Sequence, residues 1–139
     1  MCFYDTEPGG LAPPGALAGG GSRPAGLAPW QASRAAAYVE GRLETTIRVV
    51  DLARAARLSP SYFSRAFKTT FGLSPQKYVV ERRLTRAKRI MLTTNEPLCG
   101  IAVSCGFSDQ AHLSRLFRRR EGAPPNAWRR ERRQDAAAS

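Results

Sequence analysis

The chain has 139 residues, room for one compact domain with a flank. Its 22 Lys and Arg against 11 Asp and Glu leave a net charge of +11, which points to a polyanionic partner, nucleic acid or an anionic membrane surface. No run of about 18 apolar residues is present, the first ten residues lack the basic and apolar regions of a secretory signal, and the single histidine leaves a zinc site or a Ser/His/Asp triad almost nothing to draw on.

Residues 1–29 are rich in Gly, Pro and Ala, as in Pro13-Pro14 and Gly19-Gly20-Gly21. Such a stretch buries too little apolar surface to offset its ordering entropy and reads as a flexible tail. Tyr38, Val39 and Leu43 give a short amphipathic face, predicting a helix over about 31–44. Apolar residues at 49, 52, 53 and 56 predict the next, from Val49 to Arg57. Ser59-Pro60 is a capping residue followed by proline at the first helical position, and Gly72 is a C-terminal stop. Ser74-Pro75 repeats that start and opens a long helix to about Leu92, with Val80, Leu84, Ala87 and Met91 on one stripe. Pro97 opens a helix that ends near Gly106. Ser108 is expected to cap the following one, which Gly122 stops. Pro124-Pro125 leads into a final basic helix, and residues 134–139 read as a disordered tail. Nothing from residue 30 onward alternates like a strand, so the fold class is all-α.

The chain repeats itself at an offset of 50 residues. Phe63-Ser-Arg-Ala-Phe-Lys68, then Gly72 and Pro75, matches Leu113-Ser-Arg-Leu-Phe-Arg118, then Gly122 and Pro125. Upstream, Leu52-Ala53 and Leu58 match Ile101-Ala102 and Phe107, with a one-residue adjustment between. Each copy is a short helix, a tight turn and a longer helix, which is the helix-turn-helix plan. Periodicity turns Phe63, Ala66 and Phe67 inward and leaves Ser61, Ser64, Arg65 and Lys68 outside. In the second copy Leu113, Leu116 and Phe117 are core, while Gln110, Ser114, Arg115 and Arg118 line the outer face. Short polar residues with Arg suit the major groove: Arg can bridge guanine O6 and N7, Gln can pair with adenine, and Ser lets the backbone approach. A plain solvated face is the competing reading, and the duplication argues against it.

Arg83-Leu84-x-x-Ala87, Ile101-Ala102-x-x-x-Gly106-Phe107, Leu113-x-x-x-Phe117, Gly122 and Pro124-Pro125 together resemble the DNA-binding domain of the AraC/XylS family of bacterial transcriptional regulators. The likeness covers about residues 30–133. It implies seven helices, with a first helix-turn-helix at about 49–71 and a second at about 97–121. A rigid central helix at about 75–92 would join them. The recognition helices, about 60–71 and 109–121, would enter successive major grooves, which lie about 34 Å apart. A helix of about seventeen residues is roughly 25 Å long and could set that separation. Carried over position by position, base contacts fall on Ser61, Ser64 and Arg65 in the first module, and on Gln110, Ala111, Ser114 and Arg115 in the second. Phosphate contacts are expected at Ser59, Lys68, Arg86, His112, Arg118 and Arg129. The resemblance implies double-stranded DNA and RNA polymerase as partners, a monomer on DNA, and a bacterial cytoplasmic, nucleoid-associated protein, with no cofactor, metal or catalytic residue.

Three positions depart from the family pattern. Arg48 stands where a Ser or Thr cap is usual, leaving Thr46 as a substitute, and Pro124 replaces the usual Ser. Ala111 can offer a base only an apolar contact. The sensor domain that precedes this region in most members is expected to be absent, so no small-molecule effector is evident. Of the remaining features, Trp128 is expected to pack the last helix onto the second module, with Trp30 doing the same at the N-terminal end. Cys99 and Cys105 are expected in the small core of their helix, and three cysteines without a CxxC pair suit a reducing compartment. The alternative function is a nonspecific basic architectural protein. A third reading, a fragment of a DNA-repair enzyme, would rest on Cys2.

Overall fold

The computed structural model describes residues 25–138, so most of the expected N-terminal tail, Cys2 included, lies outside the described residues. Among the described residues seven helices follow one another: α1 Pro29–Glu40, α2 Val49–Ala55, α3 Pro60–Phe71, α4 Pro75–Thr93, α5 Leu98–Ser104, α6 Gln110–Glu121 and α7 Pro125–Ala138. No strand occurs among the described residues. The residues divide into two compact units. One takes the described residues up to Arg42 and Ile47–Val80; the other takes Leu43–Thr46 and the described residues from Glu81 onward.

The first unit contains α1, the α2-turn-α3 pair and the start of α4. Ser59 caps α3, its hydroxyl accepting from the Tyr62 amide at 3.3 Å, and Pro60 follows at the first position. Gly72 ends the helix in the left-handed conformation, φ 80°, where a side chain is disfavoured. The core is aromatic. Phe67 stacks on Phe71 with centroids 4.2 Å apart, and Phe63 and Tyr78 approach Phe67 at 5.5 and 5.3 Å. Leu52, Ala53 and Ala56 complete it from the α2 side, and Ala35 and Val39 from α1.

Ordered packing begins before residue 29, inside the segment expected to be tail. Leu27 is buried, and its amide donates to Thr70 Oγ1 at 2.7 Å. The Gln31 side chain reaches back to the Ala28 amide through Oε1 and across to the Ala56 carbonyl through Nε2, at 2.8 and 3.0 Å. Helix α1 therefore starts two residues earlier than predicted, on Pro29, and gives way at Gly41 before Leu43. Trp30 corrects a second expectation: it is 47% exposed, with the Arg34 guanidinium over its ring, and is not a packing anchor.

The second unit repeats the plan. Ile101, Ala102, Leu113 and Phe117 are buried, joined by Leu84, Ala87 and Met91 from α4 and by Leu43. Trp128 packs edge-on to Phe117 at 5.3 Å, which docks α7 on the module as expected. Cys105 is buried and Cys99 is exposed, so only one of the two cysteines serves the core. The segment expected to fray after residue 133 continues as helix to Ala138.

Candidate nucleic-acid interface

Each module builds its outer face on a twelve-residue helix, α3 or α6, held at both ends by capping. The turns that launch these helices are nearly superimposable in their bonding. Leu58 N–H donates to the Ala53 carbonyl and Phe107 N–H to the Ala102 carbonyl, both at 2.9 Å. Each turn contains one left-handed residue, Arg57 at φ 61° in the first and Gly106 at φ 93° in the second. Up to this point the two copies correspond at an offset of 49. From Ser59 and Asp109 onward they correspond at 50, so Ser108 is the inserted residue.

This insertion corrects the expected cap. Asp109, not Ser108, caps α6: its Oδ1 accepts from the His112 amide at 2.8 Å. Ser108 instead donates its amide to His112 Nδ1 at 3.2 Å. With Nδ1 accepting, the neutral imidazole carries its proton on Nε2. The Phe107 and His112 rings meet in a T-shaped contact with centroids 5.4 Å apart, so His112 is oriented from two sides.

On α3, Ser61, Arg65 and Lys68 are exposed and Ser64 is half-buried beside them. On α6, Gln110, Ala111, Arg115 and Arg118 are exposed, with Ser114 and His112 half-buried. The structure thus gathers the sequence-derived residues onto one outer face per module, each backed by its own core. Arg48 stands at the N-cap of α2 with no side-chain cap hydrogen bond. Arg119 is a further exposed cation on α6. Asp109 went unmarked, although the switch of offset from 49 to 50 identifies it.

Several other cations of the second unit are engaged within the protein. Arg83 donates to the carbonyls of Leu43 and Thr45 at 3.0 and 2.7 Å, and burial pushes its pKa down. It lies beside Gly106, where a Cβ would overlap the Leu43 carbonyl oxygen. Arg120 pairs with Glu81 at 2.7 Å, a bond that raises its pKa, and Lys88 pairs with Glu121 at 2.8 Å. Burial pushes the Cys105 thiol up, so it is a neutral core group; the Ser104 side chain, by a hydrogen bond, and then Arg86 and Arg83 pull the other way. Arg86 is half-buried on α4.

Arg129, expected to meet phosphate, has its guanidinium occupied. Its Nε, Nη1 and Nη2 donate to the carbonyls of Met91, Glu96 and Thr94 at 2.9, 2.9 and 2.7 Å. Burial, with Arg133 beside it, pushes its pKa down. Three of its five N–H groups are thus taken up within the second unit.

Among the described residues no cluster of three His, Cys, Asp or Glu gathers in the manner of a metal site. No described helix is long and apolar enough to cross a membrane. The two faces offer hydrogen-bond donors, acceptors and cations on exposed helices, which is the equipment of recognition.

Comparison with known proteins agrees with this layout. Residues 52–131 match a sequence-family profile described as a helix-turn-helix domain. The chain is 37% identical over 91 residues to the probable transcriptional regulator LumQ of Photobacterium leiognathi, covering 66% of this chain and 37% of that protein. It thus spans little more than a third of that relative's length. Among solved structures it is similar to a transcriptional regulator from Chromobacterium violaceum described by its AraC-type DNA-binding domain. The identity is 30% and the TM-score 0.70, over 75% of this chain and 93% of that one. It is also similar to the DNA-binding domain of the global transcriptional factor AdpA, solved with a target DNA. That match has 28% identity and a TM-score of 0.72, over 85% of this chain and all of the other.

Proposed function

The chain belongs to the family of AraC-type helix-turn-helix DNA-binding domains, and from that premise we propose that it is a sequence-specific regulator of transcription that reads double-stranded DNA with both outer faces. The observation that carries this reading is the duplicated, capped helix with an exposed Arg at the same place in each copy, Arg65 on α3 and Arg115 on α6. Around these shared anchors the faces differ. Ser61 and Ser64 flank Arg65, whereas Gln110, Ala111 and Ser114 accompany Arg115. Two unlike faces on one chain suit an asymmetric site bound by a monomer. Lys68, Arg118 and His112 lie beside the reading residues and supply phosphate contacts, which position the protein without specifying sequence. Ser59 and Arg86 complete the proposed phosphate set. As a regulator of transcription, its protein partner is RNA polymerase.

Competition binding tests this directly. Against random duplex at about 150 mM salt, a selected site should be preferred about a thousandfold or more. Arg65→Ala and Arg115→Ala should each cost about 1–3 kcal/mol and relax preference at one base pair. Equal losses on selected and random DNA would favour the other reading, a nonspecific architectural protein, which the excess of basic residues also supports.

A further inference from the structure

The basic helix α7 carries Arg129, Arg130, Arg132 and Arg133 and reads in sequence as a phosphate-binding flank. Two of these four point elsewhere. Arg129 and Arg133 lie one helical turn apart, on the same side of α7, and both reach the C-terminal end of α4 in the same unit. Met91 O accepts from Arg129 Nε at 2.9 Å and from Arg133 Nε and Nη2 at 3.2 and 2.9 Å. Thr94 O accepts from Arg129 Nη2 at 2.7 Å and also from Arg133 Nη2. Glu96 O accepts from Arg129 Nη1 at 2.9 Å, and Asn95 Oδ1 from Arg133 Nη1 at 2.8 Å.

The last carbonyls of a helix have no intrahelical donors and sit at the negative end of its dipole. Two guanidinium groups there meet both needs, and each spreads five donors over a fixed planar fork, against the three of a compact ammonium. The chain they hold, residues 91–96, leads straight into α5, the first helix of the second module. Its start at Pro97 has no side-chain cap of its own. Trp128, next to Arg129 in the chain, seats α7 against Phe117 of the reading helix.

We propose that Arg129 and Arg133 are positioning residues of the second reading face: they set the exit of α4 and the entry of α5, and do not touch DNA. The inference rests on the proposed reading of DNA only for its consequence at a half-site; the clamp itself can be tested without DNA.

The experiment combines amide exchange of the free protein with footprinting and a salt series on a selected duplex. It uses Arg129→Ala, Arg129→Lys and Arg133→Ala, with Arg118→Ala as the phosphate control. In Arg129→Ala, exchange across residues 98–104 should quicken about tenfold or more, as expected when hydrogen bonds from a charged donor are lost. Affinity should fall about tenfold, with protection lost only over the half-site that Arg115→Ala also loses. The slope of log K against log salt should stay at the wild-type value, whereas Arg118→Ala should reduce it by about 0.9. Arg129→Lys should behave like Arg129→Ala, since restoring the charge does not restore the fork. A slope reduced by about 0.9 in Arg129→Ala, with exchange at α5 unchanged and Lys restoring affinity, would overturn the proposal. Should Arg129→Ala not fold, Arg133→Ala keeps the three Arg129 bonds and is read by the same measurements, with smaller losses expected. Wild-type protein preferring no duplex would instead count against the DNA reading, and exchange would still decide the clamp.

Discussion

At the turn of each module one residue must adopt positive φ, and the two copies meet that demand differently. Gly106 has no Cβ to place, and one would strike the Leu43 carbonyl oxygen and the Arg83 guanidinium. Arg57 carries a side chain in the same conformation, which costs about 1–2 kcal/mol for an L-residue. Arg57→Gly should therefore raise stability by about 1 kcal/mol, the entropy of the added glycine offsetting part of the gain. Gly106→Ala should lower it by ~2 kcal/mol or more; urea unfolding of both variants measures the pair. Equal effects would show that the close approach of Leu43 and Arg83 plays no part. The cysteines offer a second contrast. Cys99 is exposed and should alkylate readily in native protein, while buried Cys105 should not. Because burial raises the Cys105 pKa above its ordinary value of 9.0, the neutral thiol is favoured in the folded state. That contribution is complete below pH 9.0 and is lost as pH rises through the folded value. Cys105→Ala should lose less stability between pH 8.5 and about 10.5 than wild type, as thermal melts across that range would report.

The reading helices depend on their ends as much as on their faces. Ser59→Ala and Asp109→Ala should each cost about 1 kcal/mol as caps, while Ser108→Ala should stay within about 0.5 kcal/mol. If Ser108→Ala proved the costlier of the last two, the assignment of the inserted residue would be wrong. Phe67→Ala, at the centre of the first aromatic core, should cost about 3–5 kcal/mol and abolish the module. Sequence alone was enough for most of these elements because their signals are local. Ser-Pro starts, glycine stops and 3.6-residue periodicity mark α2 to α6 within a residue or two. What it missed depends on contacts distant in the chain. Leu27 is ordered by Thr70, 43 positions away, and Arg129 by carbonyls 33 to 38 positions back. Trp30 looked like an anchor because tryptophan usually is one, but here Arg34 shares an exposed ring. The faces of α3 and α6 were legible because a helix turns every residue's direction into arithmetic. Which bases they meet is not, since that lies in the partner.

For the molecule as a whole, a net charge of +11 overstates what is offered to a polyanion. Arg83, Arg120, Arg129, Arg133 and Lys88 all bind partners within the second unit. The cations left on the reading helices are Arg65, Lys68, Arg115, Arg118 and Arg119, all exposed. The salt dependence of binding should follow this smaller set together with the proposed phosphate contacts, and not the composition. The central claim is that one chain reads two unlike half-sites with two copies of one scaffold. Selection of bound duplexes from a random pool, repeated with Arg65→Ala and Arg115→Ala, tests it most directly. The account predicts two short, different motifs for the wild type, one degraded by the first substitution and the other by the second. A single motif weakened alike by both, or no enriched motif at all, would contradict it.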